Sequence, residues 1–382
     1  MNRFVISGPA LLADGDSLAS GQIVEATILI EEGIIARVAS GLDPGADVVV
    51  SDGVIAPGFV ELQINGAYGV DFTTDAGTIV EASARLPSAG VTAFAPTIIT
   101  SPFDGYPRRL AEARAAARAA QGAEVLGLHL EGPYLSPRRP GAHDPNLLRA
   151  IDVDEMLAWA EPDIVRIVTL APELPGAATA IKALRSRGIL VSIGHSNASY
   201  EEAMAAFDAG IAWGTHLYNA MSPLGHREPG LMGALLVSPV PVGLIADGVH
   251  SHPAVVKVAY RCKGAAGIAI VTDAMEAMGM APGTYRLADR NVIVDGKTAR
   301  LADGTLAGSI LTMDAGVRNM VEFTGCPWTE ALAMASATPA RIMGLARKGR
   351  IAVGCDADLT VIDPLGRVAE TWARGVRVFG GA

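Results

Sequence analysis

Eight short apolar runs, separated by helix-like stretches, constrain this 382-residue chain more than any other feature. They are FVELQI at 59–64, VTAFAP at 91–96, VLGLHL at 125–130, IVRIVTL at 164–170, ILVSI at 189–193, IAWGT at 211–215, VGLIA at 242–246 and GIAIVT at 267–272. Between them lie stretches such as RRLAEARAAARAAQ and ATAIKALRSRG. Alanine and arginine favour helix, and the glycine that follows is a natural stop. Strands alternating with helices predict parallel βα units, and eight such units predict an α/β chain closed into a (β/α)8 TIM-like barrel. An open, doubly wound sheet is the alternative.

The two ends have a different style. QIVEATILIEEG and VVVSDGVIAPG near the start, and GRIAVGCDADLTVID and VAETWARGVRVFG near the finish, are short β-branched runs broken by Gly or Asp. They predict one small β domain assembled from residues 1–56 and 347–382, flanking a barrel at 57–346.

Polar residues collect where the barrel strands end. Strand one runs into Gln63 and Asn65, strand three contains His129 and ends at Glu131, and strands five and six end at His195 and His216. Strand seven is followed by Asp247 and His250, and strand eight ends at Asp273. In a barrel these ends converge on one face, so residues a hundred positions apart can share a site. One glutamate and two histidines form a ligand set for zinc, with an open position for water. Any one histidine could equally be a satisfied core or surface residue; the three together at strand ends favour the metal. His129 points the same way as Glu131 if the segment is extended, and reads either as a group orienting the site or as an interior histidine. Asp273 is the candidate proton shuttle and His250 a candidate donor to a carbonyl oxygen gaining charge. Arg227, in GHREPGLMG, suits a phosphate, although an arginine on its own usually sits on a solvated face. Asn219 and Ala220 offer a side chain and a backbone N–H to hydroxyl or phosphate oxygens.

The formal net charge of -10 argues against nucleic acid or an anionic membrane as partner. No apolar run reaches membrane-spanning length before a charge interrupts it, and the first 18 residues lack the pattern of a signal peptide. Cys262, Cys326 and Cys355 form no metal pair and read as free thiols in a reducing cytoplasm. There is no Walker loop, dinucleotide fingerprint, serine nucleophile elbow or HExxH.

At these residues the chain resembles the N-acetylglucosamine-6-phosphate deacetylase family of the amidohydrolase superfamily. The resemblance runs through APGFVELQINGAYGVDF at 56–72, LHLEGPYLSP at 128–137, GHSNA at 194–198, THLYNAMSPLGHREPG at 215–230, IADGVH at 245–250 and VTDAM at 271–275. GTLAGS at 304–309, ATPARIMGL at 337–345 and VGCDADLTVID at 353–363 extend it. It implies that the small domain is a β-sandwich, and that the substrate is a phosphorylated N-acetyl amino sugar, hydrolysed to glucosamine 6-phosphate and acetate. By match to the family's positions, Glu131, His195 and His216 hold one divalent metal, and Asp273 is the general base and then acid. His250 polarises the acetyl carbonyl, Arg227 meets the phosphate, and Asn219 and Ala220 bind sugar and phosphate. The resemblance also implies a homodimer, in which the partner subunit contributes a phosphate contact.

One position departs from the wider superfamily. Many amidohydrolases carry His-x-His at the end of strand one, where this chain has Gln63-Ile64-Asn65. Amides are poor zinc ligands, so one metal is expected, with Gln63 and Asn65 near it through water. Zinc is the expected ion; iron, cobalt or manganese could take the same ligands. The competing readings are the same chemistry on the galacto sugar, hydrolysis of a cyclic amide, and a scaffold without catalysis.

Overall fold

In the computed structural model, which describes residues 3–14 and 17–380, all eight apolar runs become strands of one parallel sheet. They are Phe59–Ile64, Val91–Ile99, Leu128–Glu131, Val165–Leu170, Leu190–Ile193, Trp213–Gly214, Val242–Leu244 and Ile268–Ile270. Neighbours pair in chain order. The sheet closes between its last and first strands, where Ile64 bridges Ala274 in parallel and the Asp273 N–H donates to the Gln63 carbonyl at 2.8 Å. Closure removes the open-sheet alternative. The third run differs from expectation in being two pieces, Glu124–Val125 and Leu128–Glu131, with Gly127 at φ +108 between them. A side chain there would meet the Ile164 carbonyl at 2.7 Å, so the kink requires glycine.

Helices fill the intervals. The alanine-rich stretches form Tyr106–Ala119 and Ala177–Ser186. After strand five, Ser199 and Glu202 form a capping box: the Ser199 hydroxyl accepts from the Glu202 N–H, and the Ser199 N–H donates to the Glu202 carboxylate. Such a cap is worth about 1 kcal/mol and fixes where the chain leaves His195 for the helix Tyr200–Ala209.

Strands from both chain ends form a separate sheet, ordered Val376–Phe379, Val368–Ala373, Leu359–Ile362, Val54–Pro57, Arg3–Asp14, Ser17–Glu31 and Ile34–Ser40. Its last strand returns to the segment just before Leu359–Ile362: Ile35 N–H donates to the Cys355 carbonyl, and Ala357 N–H to the Gly33 carbonyl. The sheet therefore doubles around one core that includes Ile6, Ile28, Ile30, Leu359 and Trp372. Met1, Asn2, Gly15, Asp16, Gly381 and Ala382, which fall in the two terminal segments, lie outside the described residues.

A third sheet, Gly283–Leu287, Arg290–Val294 and Ala299–Arg300, follows the eighth barrel strand and is absent from the expectations above. Its apolar face packs Leu287, Val292 and Val294 with Ile99 and Met275, which places it beside the strand ends.

Candidate active site

A cavity of about 370 Å³ opens where the barrel strands end. Its walls hold Asn65, Glu131, His195, His216, Asn219, Ala220, His250 and Asp273, all of which the sequence pattern singled out. Glu131, His195 and His216 are buried and form a cluster able to hold a metal ion. Their ligand atoms face one another: His195 Nε2 to His216 Nε2 is 3.0 Å, His216 Nε2 to Glu131 Oε1 3.0 Å, and His195 Nε2 to Glu131 Oε1 3.2 Å. Ligands about 2.0–2.1 Å from a tetrahedral ion lie roughly 3.3 Å apart, so the set fits one first-row divalent ion. The ring of His195 is also set correctly. Its Nδ1 donates to the Arg139 carbonyl (3.1 Å), which leaves the Nε2 lone pair facing the cluster.

Charge in the cluster is balanced among its own groups. Burial would raise the Glu131 carboxyl, but hydrogen bonds from His195 and His216 outweigh it and hold the group well below the ordinary carboxylate range. Burial would lower His216, yet its hydrogen bond with Glu131 and the nearby negative charge push it up. Asp273 has no such partner. Burial, and then the charge of Glu131, raise its pKa to about 6. One of its oxygens, Oδ1, accepts from Asn65 Nδ2 (2.7 Å) and Gln63 Nε2 (3.3 Å); Gln63 Nε2 also reaches Glu131 Oε1 (3.1 Å). Gln63 is fully buried and does not line the cavity. The two amides thus present N–H donors to the carboxylates, where imidazoles would present ligands to a second cation.

His195, His216 and Asp273 share a backbone feature that no strand-end rule foretells. Their φ angles are +46, +26 and +48, in the left-handed region that residues with a Cβ avoid. Such residues cost about 1–3 kcal/mol each and persist only where their surroundings hold them, which is typical of working sites.

Several residues of the cavity were not foreseen. His143 comes from the loop after strand three, in PGAHDP, rather than from a strand end. It is buried, its Nε2 lies 3.9 Å from Glu131 Oε2, and its ring sits 4.4 Å from that of His195. The Thr100 N–H donates to its Nδ1 (3.4 Å), and burial lowers its pKa to about 3. The Thr100 hydroxyl lies closer to the same Nδ1, at 2.9 Å, so the ring is neutral, tied to Thr100 through Nδ1, with Nε2 turned to the cluster. His250 is set the other way: Nδ1 pairs with Asp247 Oδ2 (2.7 Å), and Asp247 also accepts from the Val249 and His250 N–H groups. With Nδ1 engaged by Asp247, Nε2 is the ring atom of His250 left for a substrate. Arg138 and Arg139 line the cavity from the same loop as His143, and Leu287, Leu306 and Gly308 add to its lining.

Two expected residues fall elsewhere. Arg227 is exposed, touches the ring of His226 (2.6 Å), and lines a neighbouring groove that shares Arg138 with the cavity. His129 is a satisfied interior histidine: its ring bonds Thr169 Oγ1 (2.7 Å) and the Leu62 carbonyl (3.1 Å), and burial lowers its pKa to about 4.

Known proteins carry the same pattern. The sequence pattern of the amidohydrolase family matches residues 54–378. An N-acetylglucosamine-6-phosphate deacetylase of Danio rerio is 42% identical over 342 residues, covering 85% of this chain and 84% of that protein. The enzyme of the same name from Bacillus subtilis is 42% identical over 339 residues, covering 86% and 85%. A variant of the Mycobacterium smegmatis N-acetyl-D-glucosamine-6-phosphate deacetylase, solved with N-acetyl-D-glucosamine-6-phosphate, superposes with a TM-score of 0.91 at 33% identity, covering 99% of this chain and 100% of that one.

Proposed function

The chain belongs to the amidohydrolase family, among its N-acetylglucosamine-6-phosphate deacetylases, and from that premise we propose that it hydrolyses N-acetyl-D-glucosamine 6-phosphate to D-glucosamine 6-phosphate and acetate. One observation carries the reading: three ligand atoms converge beside a carboxylate whose own pKa is lifted toward neutrality. Glu131, His195 and His216 would hold one divalent ion, zinc by their nitrogen and oxygen donors, with iron, cobalt or manganese as alternatives. Bound there, such an ion supplies Lewis acidity toward water and the acetyl carbonyl.

The protein's own groups do the rest. Asp273 takes a proton from water as the water oxygen adds to the carbonyl carbon, and returns it to the sugar nitrogen as the C–N bond breaks. An amine leaves poorly unless protonated, so one carboxylate serves as base and then acid. With Thr100 donating to Nδ1 from its N–H and its hydroxyl, His143 carries its hydrogen on Nε2 and donates it to the carbonyl oxygen as charge builds there; this role was expected of His250, whose bond to Asp247 suits it better to holding a sugar hydroxyl. Asn219 and the Ala220 N–H contact the sugar phosphate. Arg227, outside its own cavity, reaches the phosphate in a partner's cavity within a homodimer. Residues 57–346 form the catalytic barrel, and 1–56 and 347–382 the two parts of the small domain. A cytoplasmic setting accords with three free cysteines, and no helix among the described residues is long and apolar enough to cross a membrane.

The test is acetate release by metal-reconstituted protein, comparing N-acetylglucosamine 6-phosphate with its unphosphorylated and galacto counterparts. Preference for the first is expected. A faster galacto reaction would transfer the assignment to that sugar, and no release from folded, metal-loaded protein would overturn it.

A further inference from the structure

Asp273 is gripped from behind by side chains that never reach the cavity. Glu61 is fully buried, two positions before Gln63. Its Oε1 accepts from the Gln63 N–H (2.9 Å) on strand one, and its Oε2 accepts from the Thr272 N–H (2.9 Å) after strand eight. One carboxyl group thus spans the seam where the barrel closes, and holds the N–H of Thr272, the residue before Asp273. Ser309 takes the other side of the same residue: its hydroxyl donates to the Thr272 carbonyl (2.6 Å), and its N–H donates to the Asp273 carbonyl (2.8 Å).

We propose that Glu61 and Ser309 are positioning residues, a two-sided clamp on Thr272 that fixes the Asp273 carboxylate beside the metal ligands. The proposal rests on the reading of Asp273 as the proton carrier. Two observations set it apart from ordinary barrel packing. A buried carboxyl group is a costly way to join two strands that already share backbone hydrogen bonds, since an apolar residue would close the seam without desolvating a polar group. And Asp273 has φ +48, a conformation that relaxes unless the flanking peptides are held. Thr272 and Asp273 together have both N–H groups and both carbonyls engaged: by Glu61, Ser309, the Gln63 carbonyl and the Ser309 N–H. Neither Glu61 nor Ser309 lines the cavity.

The experiment compares Glu61→Gln and Ser309→Ala with wild type, each full-length and metal-reconstituted. Glutamine keeps the shape and one acceptor, but its NH2 cannot accept from a backbone N–H. Each variant should bind its full metal complement and lose about tenfold or more in kcat, with KM within about twofold, because the base is displaced while the substrate contacts stay. Amide hydrogen exchange in peptides covering residues 268–275 should quicken in both. A kcat equal to wild type in a folded, metal-loaded variant overturns the clamp, whatever the change in melting temperature. Should Glu61→Gln fail to fold, Ser309→Ala decides alone by the same criteria. Wild type lacking acetate release would count against the proposed function instead; unchanged amide exchange in the variants would then still overturn the clamp.

Discussion

Two buried polar clusters in this molecule solve opposite problems. Where the barrel meets the terminal sheet, Lys348 Nζ lies 2.7 Å from Asp358, 2.8 Å from Glu124 and 3.1 Å from Asp356, while Arg347 pairs with Asp356 and Arg374 approaches Glu124. Three cations answer three carboxylates. Burial pulls the Lys348 ammonium down, but Asp358 and Glu124 outweigh it and keep it charged. At the strand ends the bonds of Glu131 and Asp273 run instead to imidazoles and side-chain amides. No lysine completes that cluster, and buried atoms such as Gln63 Oε1, Asn65 Oδ1 and His216 Nδ1 have no hydrogen-bond partner there. The first cluster is finished by folding. The second has its negative charge and donor set ready for a cation and a substrate.

Breaking the second cluster should have the largest effect. Asp273→Asn keeps the shape and removes the proton carrier, so kcat should fall by about 10²–10⁴-fold with metal content unchanged. Near-wild-type turnover would remove Asp273 from the mechanism. The same substitution sharpens the contrast through pH. The folded pKa of Asp273 is raised from 3.8 to about 6. A raised pKa gives stability that is present below pH 3.8 and lost as pH rises through about 6. Metal-free Asp273→Asn should therefore melt higher than metal-free wild type above pH 6, and the two should converge in acid. Turnover of the metal-loaded wild type should also fall in acid as the base is protonated, with a midpoint below that of the metal-free protein because the bound cation favours the carboxylate.

Breaking the first cluster should cost stability and spare chemistry. Lys348→Met leaves Asp356, Asp358 and Glu124 short of a partner in a site where Lys348 and Asp358 are nearly inaccessible. Removing one member of a buried ion pair costs about 3–5 kcal/mol. Urea unfolding should show that loss, while kcat per folded, metal-loaded molecule stays within about twofold of wild type. A matching loss of kcat in folded protein would mean that the two clusters are coupled.

The contrast also marks how far sequence alone could see. Parallel strands buried on both faces are apolar at nearly every position, so the barrel strands stood out against alanine-rich helices. Polar residues that interrupt such runs at their ends have few explanations, and Glu131, His195, His216 and Asp273 met in one cavity as expected. His143 and Arg138 were hidden because they sit in an irregular loop, where a polar residue carries no surprise. The sheet Gly283–Leu287, Arg290–Val294 and Ala299–Arg300 was hidden because its half-exposed strands carry short, mixed runs. Glu61 read as a strand residue; only the register across the barrel seam brings it to Thr272. Arg227 shows the converse. Its motif suggested a ligand to phosphate, and motif spacing cannot say whose cavity the side chain serves.

That question sets the smallest expected effect and the finest test. Arg138 lines both the cavity and the groove beside it, is exposed, and stands within the same chain as the metal ligands. Arg227 lines the groove alone. If both meet the phosphate, one from each subunit, either arginine changed to alanine should raise KM for N-acetylglucosamine 6-phosphate by roughly tenfold, about 1.4 kcal/mol, and leave kcat/KM for the unphosphorylated sugar unchanged. The loss should shrink as salt is added, because both cations are open to solvent. Mixing the two variants separates the assignments. A mixed dimer has one cavity that lacks both arginines and one that keeps both, so mixing the two high-KM variants should restore wild-type KM in part of the population if Arg227 acts across the interface. Were Arg227 to act within its own chain, every cavity of the mixture would still lack one arginine, and the high KM would persist.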